Sequence, residues 1–126
     1  MLPEKEFWIG CQKGDLEKVK ELSNQVDDIN WRNQKNAYRT GMHIACLRGK
    51  EKVVAYLLTF PLILVNQQDR IFAAPIWIAC ESGREEVVRM LLRDKYERTP
   101  LWIACAKGKR EVVKLLLIEG RGIEVN

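Results

Sequence analysis

The sequence predicts an all-α solenoid of stacked antiparallel helix pairs, and three observations carry that prediction. The first is an internal repeat. The pattern Ile-Ala/Gly-Cys-x-x-Gly-x4-Val-x-x-Leu occurs four times, starting at Ile9, Ile44, Ile78 and Ile103. Its six fixed positions recur at identical spacing, with Gly10 standing where the other copies have alanine. A period of this kind marks units that cannot bury an apolar face alone and must stack on their neighbours. The second is the glycine inside each copy (Gly14, Gly49, Gly83, Gly108). It splits the unit into two short helices, because a left-handed C-terminal residue costs glycine nothing. The third is the spacing of Val112/Val113 and Leu116/Leu117, four residues apart, which gives the second helix one apolar stripe.

The elements follow in order along one expected domain, residues 1–126, with repeats at about 2–30, 33–66, 67–94 and 95–126. In the first, Pro3 suits an opening helical position, and Glu4 and Glu6 suit the positive end of the helix dipole. Its second helix shows only Leu16, Val19 and Leu22 as apolar, among Lys18, Lys20 and Glu21, as an end repeat with a single neighbour should. The second repeat opens with Thr40-Gly41, a start that glycine leaves less rigid. Its turn, residues 60–66, is strongly apolar. The third opens with Ala74-Pro75 and has no threonine to cap it. In the fourth, Thr99 caps the free amides and Pro100 fits the first turn.

One spacing departs from the rest. Cys46 to Cys80 is 34 residues, whereas Cys80 to Cys105 is 25. Nine residues are therefore lacking between Arg93 and Tyr96, where a turn and hairpin belong, and the expectation is of an absent loop. An unbroken chain across residues 93–96 counts against it.

Composition bounds the class. Hydrophobic residues at 47% and charged residues at 30% describe a globular protein. A net charge of +4 favours acidic partners only weakly. Residues 1–6 are charged and lack the apolar core of a signal peptide. The most apolar stretch, residues 53–65, contains Pro61 and falls short of the roughly 18 residues of a spanning helix. An intracellular protein is expected, in cytoplasm or nucleus, with no membrane partner. Cys11, Cys46, Cys80 and Cys105 share one slot of the repeat. Stacked helices hold equivalent residues about 8–10 Å apart, too far for a disulfide, which needs about 7 Å or less. Reduced, buried thiols are expected.

The stretch T-P-L-W-I-A-C-A-K-G-K-R-E-V-V-K-L-L-L at residues 99–117 resembles the ankyrin repeat, whose pattern is T-P-L-H-x-A-A-x-x-G-H-x-E-V-V-x-L-L-L. The resemblance covers almost the whole chain. It implies an ankyrin-repeat solenoid whose helix pairs are joined by projecting β-hairpin loops. Against a family period of about 33, the 35 residues from Cys11 to Cys46 include two extra, placed in the loop at residues 34–38. It also implies a protein–protein interaction module that binds a partner protein on its concave hairpin side. Carried over by position, the contact residues are Asn36, Arg39, Leu47 and Arg48, then Arg70, Ile71, Ala73, Glu81 and Ser82, then Tyr96, Arg98, Ala106 and Lys107. The alternative is the targeting domain of a larger enzyme whose catalytic part is absent from this chain.

The residues that suggest chemistry have structural readings. His43 and Cys46 stand three apart but have no further ligands near them in sequence, so no metal or other cofactor is expected. By resemblance, this histidine bonds neighbouring loop backbone. Trp8, Trp77 and Trp102 share the slot of His43. They are taken as fillers between stacked helices, each N–H finding a backbone carbonyl. Lys50, Lys52, Arg84, Lys107, Lys109 and Arg110 are interleaved with Glu51, Glu85, Glu86 and Glu111, a mixed solvated edge and not a nucleic-acid stripe. With one histidine and neither a G-x-S-x-G nor a phosphate-binding motif, no catalytic site is expected. The fourth second helix is as apolar as interior ones. The chain is therefore expected to continue beyond Asn126, or to self-associate through that end.

Overall fold

The computed structural model describes residues 2–96, 98 and 99, and over them the chain forms three helix pairs. Helix α1, Pro3–Lys13, starts on Pro3 and stops at Gly14, whose φ of 74° is the left-handed turn glycine allows. Asp15 then accepts the Lys18 amide and opens α2, Leu16–Ser23. Helix α3, Gly41–Arg48, has a reciprocal cap. The Thr40 hydroxyl accepts the His43 amide while His43 Nδ1 accepts the Thr40 amide, so a histidine does the work usual for glutamate. Helix α4 is Glu51–Leu58, and α6 is Glu85–Leu92. Between them α5, Pro75–Glu81, is the shortest at seven residues, and no side chain caps it at Ala74.

Helices α1, α3 and α5 pack in one row, and α2, α4 and α6 in a second. Phe7, Met42, Ile44 and Ile76 fill the first row, Val19, Val54, Leu57 and Leu91 the second. Each of these larger side chains contributes about 1.5–3 kcal/mol by leaving water. Within the first row, α1 and α3 approach closely at Gly41. A Cβ there would lie 2.9 Å from Cys11 Sγ and 3.2 Å from Phe7 Cε1. That glycine is a packing requirement between α1 and α3.

Polar bonds tie each repeat to the next. Trp8 Nε1 donates to the Arg39 carbonyl at 3.0 Å, and His43 Nε2 donates to the Ala73 carbonyl at 3.1 Å. The two acceptors occupy the same place, one residue before the helix cap. Arg84 reaches back across Gly49 to the Leu47 carbonyl at 3.0 Å, serving the negative end of α3. Asn30 brackets the following turn, accepting the Leu64 amide and donating to the Leu62 carbonyl. Cys11 and Cys46 are free and fully buried, and Cys80 is half-buried. Burial pushes the Cys11 and Cys46 thiols far up, so they stay protonated and inert.

Where the sequence is short by nine residues, the Asp94 amide bonds the Leu91 carbonyl. By register the shortening falls before Asp94. That residue stands five before Thr99, as Asp69 stands five before Ala74. The turn of residues 59–68 that follows α4 thus has a single residue, Arg93, as its counterpart after α6. Arg98 occupies the space a longer turn would fill. Its guanidinium bonds Asp94 twice at 2.8 Å and the carbonyls of Leu58, Phe60 and Ile63 at 2.8, 2.6 and 3.3 Å. An open groove of about 450 Å³ remains beside Leu62 and Leu64. Trp102, Cys105, Ala106, Lys107 and the fourth repeat's second helix lie outside the described residues. Among the described residues no helix is long and apolar enough to cross a membrane.

Candidate partner-binding edge

Two hairpins stand between the helix pairs, and they differ in length. In the first, the Asn33 amide donates to the Arg39 carbonyl at 2.8 Å across a five-residue loop. In the second, the Asp69 amide donates to the Ala73 carbonyl at 3.0 Å across three. The first loop, residues 34–38, is thus two residues longer than the second. The first hairpin turns through Ala37 and Tyr38 at φ of 54° and 57°, with the Arg39 amide on the Asn36 carbonyl, a mirror-image turn that usually takes glycine or asparagine. The second ends on Phe72 at φ of 66°. Side chains in this region cost about 1–3 kcal/mol each and persist only where surrounding structure enforces them.

Asp69 does the enforcing in the second hairpin. Buried at its base, it accepts the Ile71 and Ala73 amides at 3.0 and 2.9 Å through Oδ1 and the Arg39 guanidinium at 3.3 Å through Oδ2. The two hairpins are also joined to each other. The Arg70 amide and guanidinium donate to the carbonyls of Ala37 and Gln34, both at 2.8 Å, and Arg32 donates to the Gln68 carbonyl at 2.6 Å. The guanidinium carbons of Arg32 and Arg70 lie 5.1 and 5.0 Å from the centre of the Tyr38 ring, within cation–π range. The same pairing recurs around Tyr96, with Lys95 at 5.1 Å and Arg98 at 4.7 Å.

The sequence-predicted contact residues divide under this geometry. Arg48, Arg70, Ile71, Glu81 and Tyr96 are exposed, and Asn36 and Ser82 are half-buried. Ile71 is 67% exposed at the hairpin tip. Ala73 is 3% exposed and its carbonyl serves His43, so it offers no side chain to a partner. Arg39 is held by Asp69, Leu47 packs against the core, and Arg98 is consumed by Asp94 and three carbonyls. These three belong chiefly to the framework. Burial opposes ionisation of Asp94, yet the bonds and charge of Arg98 outweigh it and hold the carboxyl below its usual range.

Phe72 went unpredicted, although it is the most exposed aromatic side chain of the described residues at 79%. So did Tyr38 and Arg32. The available signal was positional: Tyr38 and Phe72 both stand two residues before a helix cap, where these loops force a positive φ. His43 has both ring nitrogens engaged, Nδ1 by Thr40 and Nε2 by Ala73, which leaves no lone pair for a metal.

The comparisons agree with this architecture. A family model described as ankyrin repeats in three copies matches residues 7–95 and again 63–126. The chain is similar to the photoreceptor ankyrin repeat protein of Homo sapiens, 39% identical over 54 residues. That match takes in 43% of this chain and 12% of the relative's length, so it compares repeat with repeat and not whole proteins. The family match covers well over half of the chain, and its tandem hairpin-linked helix pairs are those of its family: the chain belongs to the ankyrin repeat proteins.

Proposed function

We propose that this chain is a protein-recognition module, without catalysis of its own, that takes its partner on the hairpin tips and the adjoining ends of the first helices. Ankyrin repeats generally serve as protein–protein interaction modules, and one observation favours this edge of the chain. Ile71 and Phe72 stand side by side at a hairpin tip, 67% and 79% exposed. The second helices instead expose Glu17, Lys18, Lys20, Glu51, Lys52, Glu85 and Glu86, a poor surface for anchoring a partner. Leu62 and Leu64 are exposed too, but they border the groove left by the shortened turn and so have a structural cause. Ile71 and Phe72 lie at the hairpin tip, away from that groove. A framework already tied by bonds from repeat to repeat loses little freedom on binding. The protonated, unpaired thiols of Cys11 and Cys46 support an intracellular setting.

The test is affinity capture from the native cell with the wild type and with a variant carrying Arg48→Glu and Ile71→Asp. Both side chains are exposed, so the melting temperature should hold while the captured partner is lost. Equal capture by the two proteins would move the site elsewhere.

A further inference from the structure

The hairpin tips carry a more specific signature than exposure. Residues 32–39 and 69–73 hold four cations, Arg32, Lys35, Arg39 and Arg70, against one carboxylate, Asp69. Arg39 and two backbone amides already satisfy that carboxylate. Arg32 and Arg70 donate to carbonyl groups, which position them and leave their charge unneutralised. Lys35 is exposed. Beside these cations lie Tyr38, Ile71 and Phe72. Two of the three are aromatic residues at positive φ, where a glycine would be easier to accommodate. The structure thus maintains apolar side chains in strained backbone, at high exposure, within a rim of positive charge.

Resting on the reading of this edge as a recognition surface, we propose that its partner is an acidic protein segment carrying an aromatic or aliphatic anchor. The carboxylates would pair with Arg32, Arg70 and Lys35, and the anchor would cover Phe72 and Ile71. Guanidinium groups already fixed by carbonyl bonds lose little rotamer freedom when they receive a carboxylate. The aromatic–cation pairing repeated at Tyr96 extends the same chemistry along the edge. Nucleic acid fits less well. Its affinity grows with the number of phosphates neutralised, and this edge pairs a few fixed cations with a bare apolar tip.

The test is selection of a random displayed peptide library on the full chain, followed by titration of the enriched peptides against Phe72→Gly and Arg70→Gln. Phe72→Gly is chosen because glycine adopts the observed φ without strain, so the melting temperature should stay level or rise. Enriched peptides should contain Asp or Glu near a hydrophobic residue, and Phe72→Gly should weaken them by about tenfold or more. Arg70→Gln should weaken them severalfold, with the effect fading at high salt. Peptides that lack acidic residues yet lose binding to Ile71→Asp would overturn the acidic partner and leave the recognition edge standing. Peptides indifferent to Phe72→Gly and Ile71→Asp alike, or no enrichment at all, would overturn both. Displacement of the peptides by duplex DNA at equal charge concentration would also overturn the proposal, since the cations would then be acting without the apolar tip.

Discussion

His43 Nε2 donates to the backbone carbonyl of Ala73 at 3.1 Å, thirty residues along the chain, and so fastens one repeat to the hairpin of the next. Trp8 does the same to Arg39 with an indole. The bond needs only an N–H on a rigid ring at that slot, which is why two chemically different side chains serve. The histidine differs in that it can titrate.

Burial lowers the His43 imidazole to about 4, against a weaker upward pull from the Ala73 carbonyl and the Asp69 charge. Because the folded value lies below the unfolded one, near 6.5, the unfolded chain binds the extra proton first as pH falls. Stability from this group is complete above pH of about 6.5 and declines toward pH of about 4, a loss on the order of 3 kcal/mol. His43 is the single histidine of the chain, so its imidazole resonances report the titration without ambiguity. Denaturant midpoints between pH of about 6.5 and 5, above most carboxylate titration, should fall for the wild type and hold level for His43→Gln. Parallel curves would contradict the buried, neutral imidazole.

Gly41→Ala should destabilise the chain by about 1–3 kcal/mol, the usual cost of overpacking, although alanine is the better helix former. The added methyl meets Cys11 Sγ at 2.9 Å. Adding Cys11→Ala should then recover part of the loss, since the two side chains compete for one space. Chemical denaturation of the four proteins gives the coupling. Independent, additive effects would contradict the close approach of α1 and α3.

Arg98→Met should lower stability by about 3 kcal/mol, because it leaves the Asp94 carboxylate buried without its partner. The folded pKa of Asp94 is depressed. The stability from the pair is therefore present at neutral pH and is lost as pH falls through the carboxylate range. The wild type and Arg98→Met should converge in stability in acid. A variant as stable as the wild type at neutral pH would return Arg98 to the list of partner contacts.

The repeated slots were legible because burial recurs with the period. Cys11 and Cys46, the αL glycines, the Thr40 cap and the ring-to-carbonyl bonds of Trp8 and His43 all follow from sequence register. The candidate site was legible only in part. Ile71 and Arg70 announce themselves as exposed tip residues. Ala73, two positions further on, is turned inward because Asp69 gathers the loop amides around its carboxylate. The positive φ of Tyr38 and Phe72 comes from closing short loops, and side-chain propensity carries no sign of it. The bonds of Arg98 were illegible for a different reason: they depend on the short connection after α6, which leaves carbonyls of the preceding turn within its reach.

The central claim, that the partner sits on the hairpin edge, is tested most directly by amide chemical-shift mapping of the labelled chain with its captured partner. Shifts and exchange broadening should concentrate at Arg32, Tyr38, Arg70, Ile71, Phe72 and Arg48, with α2, α4 and α6 unperturbed. Perturbation centred on Glu51, Lys52, Glu85 and Glu86, with the hairpin amides unmoved, would contradict it.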